Sequence, residues 1–83
     1  MGNRRVKFMT LNQTQINQKY VITEMRLSTF QVQHLAGLGI GVGVELTIFS
    51  NANGMVIARS QGNKIVLDKI LTQNIEVKLI GSD

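Results

Sequence analysis

Residues 34–43 constrain the fold more than any other stretch of the chain, because the spacing of the apolar residues changes there. Up to Leu38 the apolar residues recur at helical spacing, and three alternating glycines follow, the last of them Gly43. Beyond Gly43 they recur at every second residue, as in a strand with one buried face. A short helix that runs directly into short strands is typical of a small β-barrel with one helix inserted early.

The predicted helix has a signal at each end. Ser28 and Gln31 have the spacing of a capping box, so we expect the helix to begin at Thr29. Gly39 ends it, because helices commonly terminate in a left-handed residue and glycine adopts that conformation without strain. A helix of about ten residues is marginal alone, so packing must hold it on the sheet. We expect this packing from an apolar stripe of Phe30, Leu35 and Leu38. His34 is expected to be either a partly buried packing residue beside this stripe or a cation near the C-terminus of the helix.

Alternating patterns and turn residues predict about five strands. Asn53-Gly54 indicates a hairpin, since both central positions of a type I′ turn need positive φ, and Gly62-Asn63 indicates a second reversal. Both faces of the first strand carry apolar groups, so either face can be the buried one. Asn12 and Gln15 suggest a capped helical turn near the N-terminus. The predicted strands cover residues 19–26, 44–50, 55–60 and 64–68 and a last segment from Ile75, after a connection at 69–74 with one 3₁₀ turn.

These elements predict one small, mainly β domain at residues 9–83, preceded by a flexible basic tail at residues 1–8. The fold class we expect is a small, SH3-like, partly open barrel of about five strands, with one short helix between the first and second strands. Curling the sheet hides most of its edges. The 83 residues include no cysteine and one histidine, which excludes disulfides, thiolate metal sites and a histidine cluster.

The net charge of +4 is concentrated at the N-terminus. Arg4, Arg5 and Lys7 supply three of the nine cations, so from Phe8 onward six cations face the five acids. We therefore expect no nucleic acid as the main ligand, although a nucleic-acid-binding barrel that uses the basic arm stays as an alternative.

The chain has no apolar run long enough for a signal peptide or a bilayer span, so we expect a cytoplasmic protein without membrane insertion.

The glycine-alternating segment itself is not a phosphate-binding loop. It follows a helix and precedes a strand, whereas such loops follow a strand and open a helix. No spacing brings His34 together with acidic residues, so we expect no metal site, no catalytic residues and no cofactor. Apolar side chains in this loop have little core to fill, which favours a surface for another macromolecule. The predicted partner-binding residues are Leu38, Ile40, Val42 and Met55.

The sequence from about Leu11 to Ile80 resembles the ferrous iron transport protein A (FeoA) family in the order of its helix, turn and strand motifs. The motifs that carry the resemblance are residues 35–40 followed by Gly43, Met55-Val56-Ile57, Gly62, Ile65-Val66-Leu67 and Ile75-Glu76-Val77. The chain departs from the family in three places. Val42 replaces a proline before Gly43, Gln33 and His34 replace a frequent arginine, and residues 51–54 replace a proline-containing loop.

The resemblance implies an SH3-like barrel and a non-enzymatic role in ferrous iron uptake. Its implied partner is the cytoplasmic GTP-binding part of a membrane Fe²⁺ transporter of the FeoB type, and no cofactor is implied. A similar module is also found in metal-dependent repressors. A metal-responsive regulatory domain is therefore a second alternative.

Overall fold

The computed structural model describes residues 8–82, which form six strands and two short helices. The strands are β1 (Phe8–Thr10), β2 (Gln18–Met25), β3 (Glu45–Ala52), β4 (Met55–Ser60), β5 (Asn63–Leu67) and β6 (Ile75–Ser82); the helices are α1 (Thr29–Gly37) and α2 (Lys69–Thr72), with a 3₁₀ turn at Leu11–Gln13. The strands form one antiparallel sheet in the order β1-β6-β2-β3-β4-β5. Helix α1 connects β2 to β3, and α2 connects β5 to β6.

The prediction of about five strands missed β1, so α1 lies between the second and third strands. Strand β1 has three residues, too few to show an alternating pattern, and is defined by its pairing with β6. Phe8, which we had placed in the basic tail, is its first residue. The rest of that predicted tail, residues 1–7, lies outside the described residues.

The sheet is open, with β1 and β5 as its edges, and it is bent by irregular pairing. The register shifts twice between β2 and β6 and once between β3 and β4. Such bulges bend a strand and increase its twist, which curls the sheet around its buried face. The mainly β architecture expected from the sequence is confirmed, with six antiparallel strands in an open sheet where we expected about five in a partly open barrel.

The core lies on one face of this sheet, in a single cluster of buried apolar residues. Tyr20 and Ile22 are buried, which identifies the inner face of β2 that the sequence left open. Met9 and Met25 pack against the core as partly buried residues, as expected for flexible side chains that fill irregular gaps. The other buried apolar residues are Leu11, Leu35, Ile40, Leu46, Ile48, Val56, Ala58, Ile65, Leu67, Ile75 and Val77.

Helix α1 begins as predicted but packs differently. The Gln31 N–H donates to Ser28 Oγ at 3.1 Å and Gln31 Oε1 accepts from the Ser28 N–H at 3.1 Å, so the capping box is confirmed. The expected stripe is wrong, because only Leu35 of its members is buried. Phe30 is 76% exposed and Leu38 is 49% exposed. His34 is exposed in the last turn of the helix, so its interpretation as a partly buried residue is wrong and its expected position near the helix C-terminus is confirmed. The helix therefore presents most of its apolar surface to solvent.

Two of the three predicted turns are shifted by one or two residues. The Asn53-Gly54 turn is confirmed, with φ of 55° and 97°. The next hairpin turns at Gln61-Gly62, with φ of 53° and 84°, and not at Gly62-Asn63. Near the N-terminus, the Thr10 N–H donates to Gln13 Oε1 at 3.1 Å, so this pair caps the 3₁₀ turn and the predicted Asn12–Gln15 cap is wrong.

The predicted connection at residues 69–74 also contains a helical turn. It is α-helical and not 3₁₀, because the Thr72 N–H donates to Asp68 O at 3.0 Å, four residues back. Asp68 Oδ1 accepts from the Leu71 N–H at 3.1 Å and caps this turn. Helix α2 is thereby fixed between the two strands that it joins.

Candidate docking surface

Helix α1 ends in a motif with two hydrogen bonds around Gly39. Gly39 has a φ of 84°, and its N–H donates to Ala36 O at 3.0 Å. The next N–H, from Ile40, reaches back to Leu35 O at 2.9 Å. These are the bonds of a Schellman motif, in which a left-handed glycine satisfies the last carbonyls of the helix.

This helix end determines where the Ile40 side chain lies. A Schellman motif usually includes an apolar contact between the residue after the glycine and the third-last helical residue. Those residues here are Ile40 and Leu35, and both belong to the buried core cluster, with Ile40 1% exposed. The expectation that Ile40 is exposed in the loop is therefore wrong. The signal was available in the sequence, because assigning Gly39 as the stop also assigns Ile40 to the core.

A tight turn follows and is attached to the sheet. The Val44 N–H donates to Gly41 O at 3.1 Å, and Gly43 at the third position of this turn has a φ of 91°, as in a type II turn. Two hydrogen bonds to Ile22 of β2 hold the turn. The Gly43 N–H donates to Ile22 O at 2.8 Å, and the Ile22 N–H donates to Val44 O at 3.0 Å. The side chain of Val42 at the second position is 66% exposed. The turn is thus a fixed support for one apolar side chain.

Three side chains form a ridge on the solvent face of α1. Phe30, His34 and Leu38, the C-cap residue, are spaced by four residues, so they follow one another along one side of the helix and its end over about 12 Å. The rings of Phe30 and His34 are nearly parallel, 12° apart, with their centroids separated by 6.5 Å. We call these three residues the α1 ridge. It is an apolar surface with one titratable side chain at its centre.

The fold brings Leu38 and Val42 to one end of the sheet. Gly37 to Gly39 share an open groove with residues 63–65 at the start of β5, and Gly43 and Val44 share another with Gln61 in the β4–β5 turn. Both segments therefore flank that turn. The predicted residues Leu38 and Val42 belong to one region of the surface.

Met55, although half exposed as expected, lies elsewhere. It begins β4, whereas the β4–β5 turn follows Ser60 at the other end of that strand. Five residues of strand separate the two ends by about 17 Å. The structure therefore does not bring Met55 together with Leu38 and Val42. Phe30, which its helical spacing assigns to the core, is exposed beside them on α1.

The described residues offer little for other kinds of site. Residues 8–82 include no group of three or more His, Asp or Glu side chains placed to hold a metal ion. Within the same part of the chain, no helix is long and apolar enough to cross a membrane. What the surface around α1 presents is exposed apolar area on rigidly held backbone.

The curled six-stranded sheet with its short helices defines a small SH3-like β domain, and the sequence assigns it to a family. Residues 9–79 match the model of the FeoA domain, so the chain belongs to the FeoA family. No curated protein sequence matches the chain significantly. Family membership supports a role in ferrous iron uptake, and members are small accessory domains.

Solved structures share the fold at low sequence identity. A crystal structure described as iron uptake regulatory protein (FeoA) is 16% identical with a TM-score of 0.81, over 89% of this chain and 100% of that one. An FeoA-like protein from Clostridium acetobutylicum is 21% identical with a TM-score of 0.77, over 95% and 94%. A manganese-dependent transcriptional repressor is 14% identical with a TM-score of 0.81, over 92% of this chain but 44% of the repressor.

Proposed function

We propose that this chain is a non-enzymatic accessory protein of ferrous iron uptake, which docks on the cytoplasmic GTP-binding part of a FeoB-type membrane transporter. Family membership supports the process, and the exposed apolar side chains of α1 and the following turn support docking as the mode of action. The protein acts in the cytoplasm, where that part of the transporter lies.

The proposed docking surface consists of Phe30, Leu38 and Val42. The observation that carries it is the exposure of Phe30 in α1 and of Leu38 at its C-cap, while the helix itself buries only Leu35. Large apolar side chains at the surface of a small domain mark contact sites when they cluster on a rigid support. Ile40 contributes from below by fixing the helix end in the core. Met55 is left out because it lies at the other end of β4.

Iron uptake by cells tests this surface. The variant F30D/L38N removes two apolar side chains from the surface. Both substitutions are compatible with the helix, since Asp is favoured in a first turn and Asn is tolerated near a helix end. We expect transporter-dependent Fe²⁺ uptake to fall to the level of a strain without the protein. Circular dichroism and thermal unfolding of the purified variant should stay close to wild type, because both replaced side chains are exposed.

A matched control is available in α2 and in the turn before β2. Ile70 occupies the same position after its N-cap as Phe30 does and is 66% exposed, and Ile16 is also exposed. The variant I70D/I16N therefore makes the same chemical changes away from α1, and uptake should remain normal. Normal uptake in folded F30D/L38N, or equal loss in both variants, would contradict the proposed surface.

A metal-responsive regulatory domain is the second candidate. It is favoured by the similarity of the fold to the manganese-dependent repressor, of which the matched part is less than half. Anaerobic calorimetric titration with Fe²⁺ or Mn²⁺ separates the two proposals. Docking alone predicts no binding heat, whereas a saturable heat with one-to-one stoichiometry would favour the regulatory domain.

A further inference from the structure

We propose that the outer face of the sheet carries a second contact site, a cationic row that binds an acidic segment of the same protein partner. The row consists of Lys19, Arg59 and Lys64, with Thr47 in the middle. Lys19 pairs with Thr47, Thr47 with Arg59, and Arg59 with Lys64, so the four residues lie side by side across four strands. At about 4.8 Å per strand, the row is about 14 Å long.

An aromatic ring orders two of these cations. The Arg59 guanidinium lies 4.9 Å from the centroid of the Phe49 ring, and the Lys64 ammonium lies 5.3 Å from it. Contacts of this kind restrict the flexible side chains without neutralising their charge. A guanidinium held against a ring keeps its N–H groups free for a carboxylate, which it binds with two parallel hydrogen bonds.

The row also lacks acidic partners among the described residues. The ion pairs found in residues 8–82 join Arg26 to Glu24 and Glu76, each at 3.3 Å, and none involves Lys19, Arg59 or Lys64. Cations that are ordered but not paired produce a local positive potential, which attracts and orients an oppositely charged partner.

The groove beside the row indicates a protein segment as the ligand. It has a volume of about 420 Å³, and Lys19, Thr47 and Arg59 line it together with the acidic Glu45. A nucleic acid or an anionic lipid surface would bring uniform negative charge against Glu45, which is unfavourable. A polypeptide can place carboxylates on the cations and a hydrogen-bond donor on Glu45. The mixture of charges therefore fits an acidic protein segment best.

The row is continuous with the proposed docking surface, on which this inference rests. Gly43 and Val44 line the same groove, and the exposed Val42 precedes them in the turn. A partner seated on Phe30, Leu38 and Val42 would extend naturally over Arg59. Apolar contacts at the centre with complementary charges at the margin are the usual arrangement of a protein interface.

Association kinetics at two ionic strengths test the row. The full chain is bound to the full-length FeoB-type transporter in nanodiscs of zwitterionic lipid, at roughly 0.05 M and 0.3 M salt. We expect R59E/K64E to lower the association rate constant by roughly tenfold at low salt and to approach wild type at high salt. The control R26E/K69E makes the same charge change elsewhere and should alter the rate by less than about threefold.

The possible results separate the two proposals. An unchanged rate in folded R59E/K64E, or an equal loss in R26E/K69E, contradicts the cationic row and leaves docking through α1 intact. Wild-type protein that fails to bind the transporter overturns the proposed function and this inference together. Tighter binding to a single-stranded RNA or to empty nanodiscs of anionic lipid, lost in R59E/K64E, contradicts the acidic protein segment.

Discussion

At the residue scale, Leu38 and Ile40 lie two positions apart in the same loop and have opposite roles. Ile40 is buried against the end of α1, while Leu38 is half exposed. The difference follows from the left-handed Gly39 between them, which reverses the chain and turns the next side chain into the core. Hydrophobicity alone does not distinguish the two residues, whereas the geometry of the helix end does.

Alanine substitutions at the two positions should separate these roles. We expect Ile40→Ala to lower the free energy of unfolding by about 2–4 kcal/mol, because it leaves a cavity in the core. Leu38→Ala should lower it by less than about 1 kcal/mol, since that side chain is half exposed. Urea unfolding followed by circular dichroism measures both values, and equal destabilisation would contradict the assignment.

The turn at residues 41–44 allows a second test at single positions. Val42 occupies the second position of a type II turn, where proline is favoured, so Val42→Pro should stabilise the protein by about 0.4–1 kcal/mol. Gly43 has a φ of 91° and open space around its Cα. Gly43→Ala should therefore destabilise by about 1 kcal/mol through backbone strain alone. Thermal unfolding checks both, and a loss of stability in Val42→Pro would exclude this turn type.

Residue-level exposure was predicted from sequence only where local geometry was considered. Val42 and Met55 are exposed as expected, because one occupies a turn and the other follows a hairpin turn. The predicted burial of Phe30 was wrong, because helical spacing shows which residues share one side of a helix but not how much of that side the sheet covers. How much of a helix face the sheet buries depends on the packing of strands that are distant in sequence, and a local sequence pattern carries no information about that packing.

At the element scale, several segments interlock at the Met55 end of the sheet. The buried Thr72 hydroxyl of α2 donates to Gly54 O of the β3–β4 hairpin at 2.6 Å. Asn51 Nδ2 donates to Asn12 O and Thr14 O at 3.0 and 2.7 Å, which joins the same hairpin to the N-terminal segment. These side-chain bonds fix the relative positions of elements that are distant in sequence.

Removing the Thr72 hydroxyl should weaken this junction. Thr72→Val preserves the shape of the side chain but leaves the Gly54 carbonyl without that bond, so we expect a loss of about 1–3 kcal/mol of unfolding free energy. Thr47→Val serves as the control, because Thr47 lies on an outer strand face where valine is favoured. Chemical denaturation of both variants measures the difference. A Thr72→Val protein as stable as Thr47→Val would exclude a structural role for the bond.

The elements themselves could be predicted where the signals are local. The capping box at Ser28, the stop at Gly39 and the Asn53-Gly54 hairpin each depend on residues that are neighbours in sequence, and all three are confirmed. Strand β1 could not be predicted, because three residues form a strand only by pairing with β6 at the far end of the chain. The turn at Gln61-Gly62 was misplaced because Gln61, a residue seldom found at positive φ, occupies its first position.

At the scale of the whole molecule, the two ends of the sheet differ. The Met55 end is joined by buried and partly buried hydrogen bonds between α2, the β3–β4 hairpin and the N-terminal segment. The other end presents α1, the turn at Val42 and the margin of the cationic row. A domain so organised has one end that is stabilised internally and one that is available to a partner. In the function that we propose, the exposed apolar residues at α1 are the principal contact with the partner, and the cationic row on the outer sheet face orients it.

Methyl resonances of the ¹³C-labelled protein test this account most directly. On addition of a substoichiometric amount of the full-length FeoB-type transporter in nanodiscs, the methyl signals of Leu38 and Val42 should lose most of their intensity. Those of Met55 and Ile70, which lie outside the proposed surface, should keep theirs. Selective loss at Met55 and Ile70, with Leu38 and Val42 unaffected, would contradict docking through α1 and its following turn.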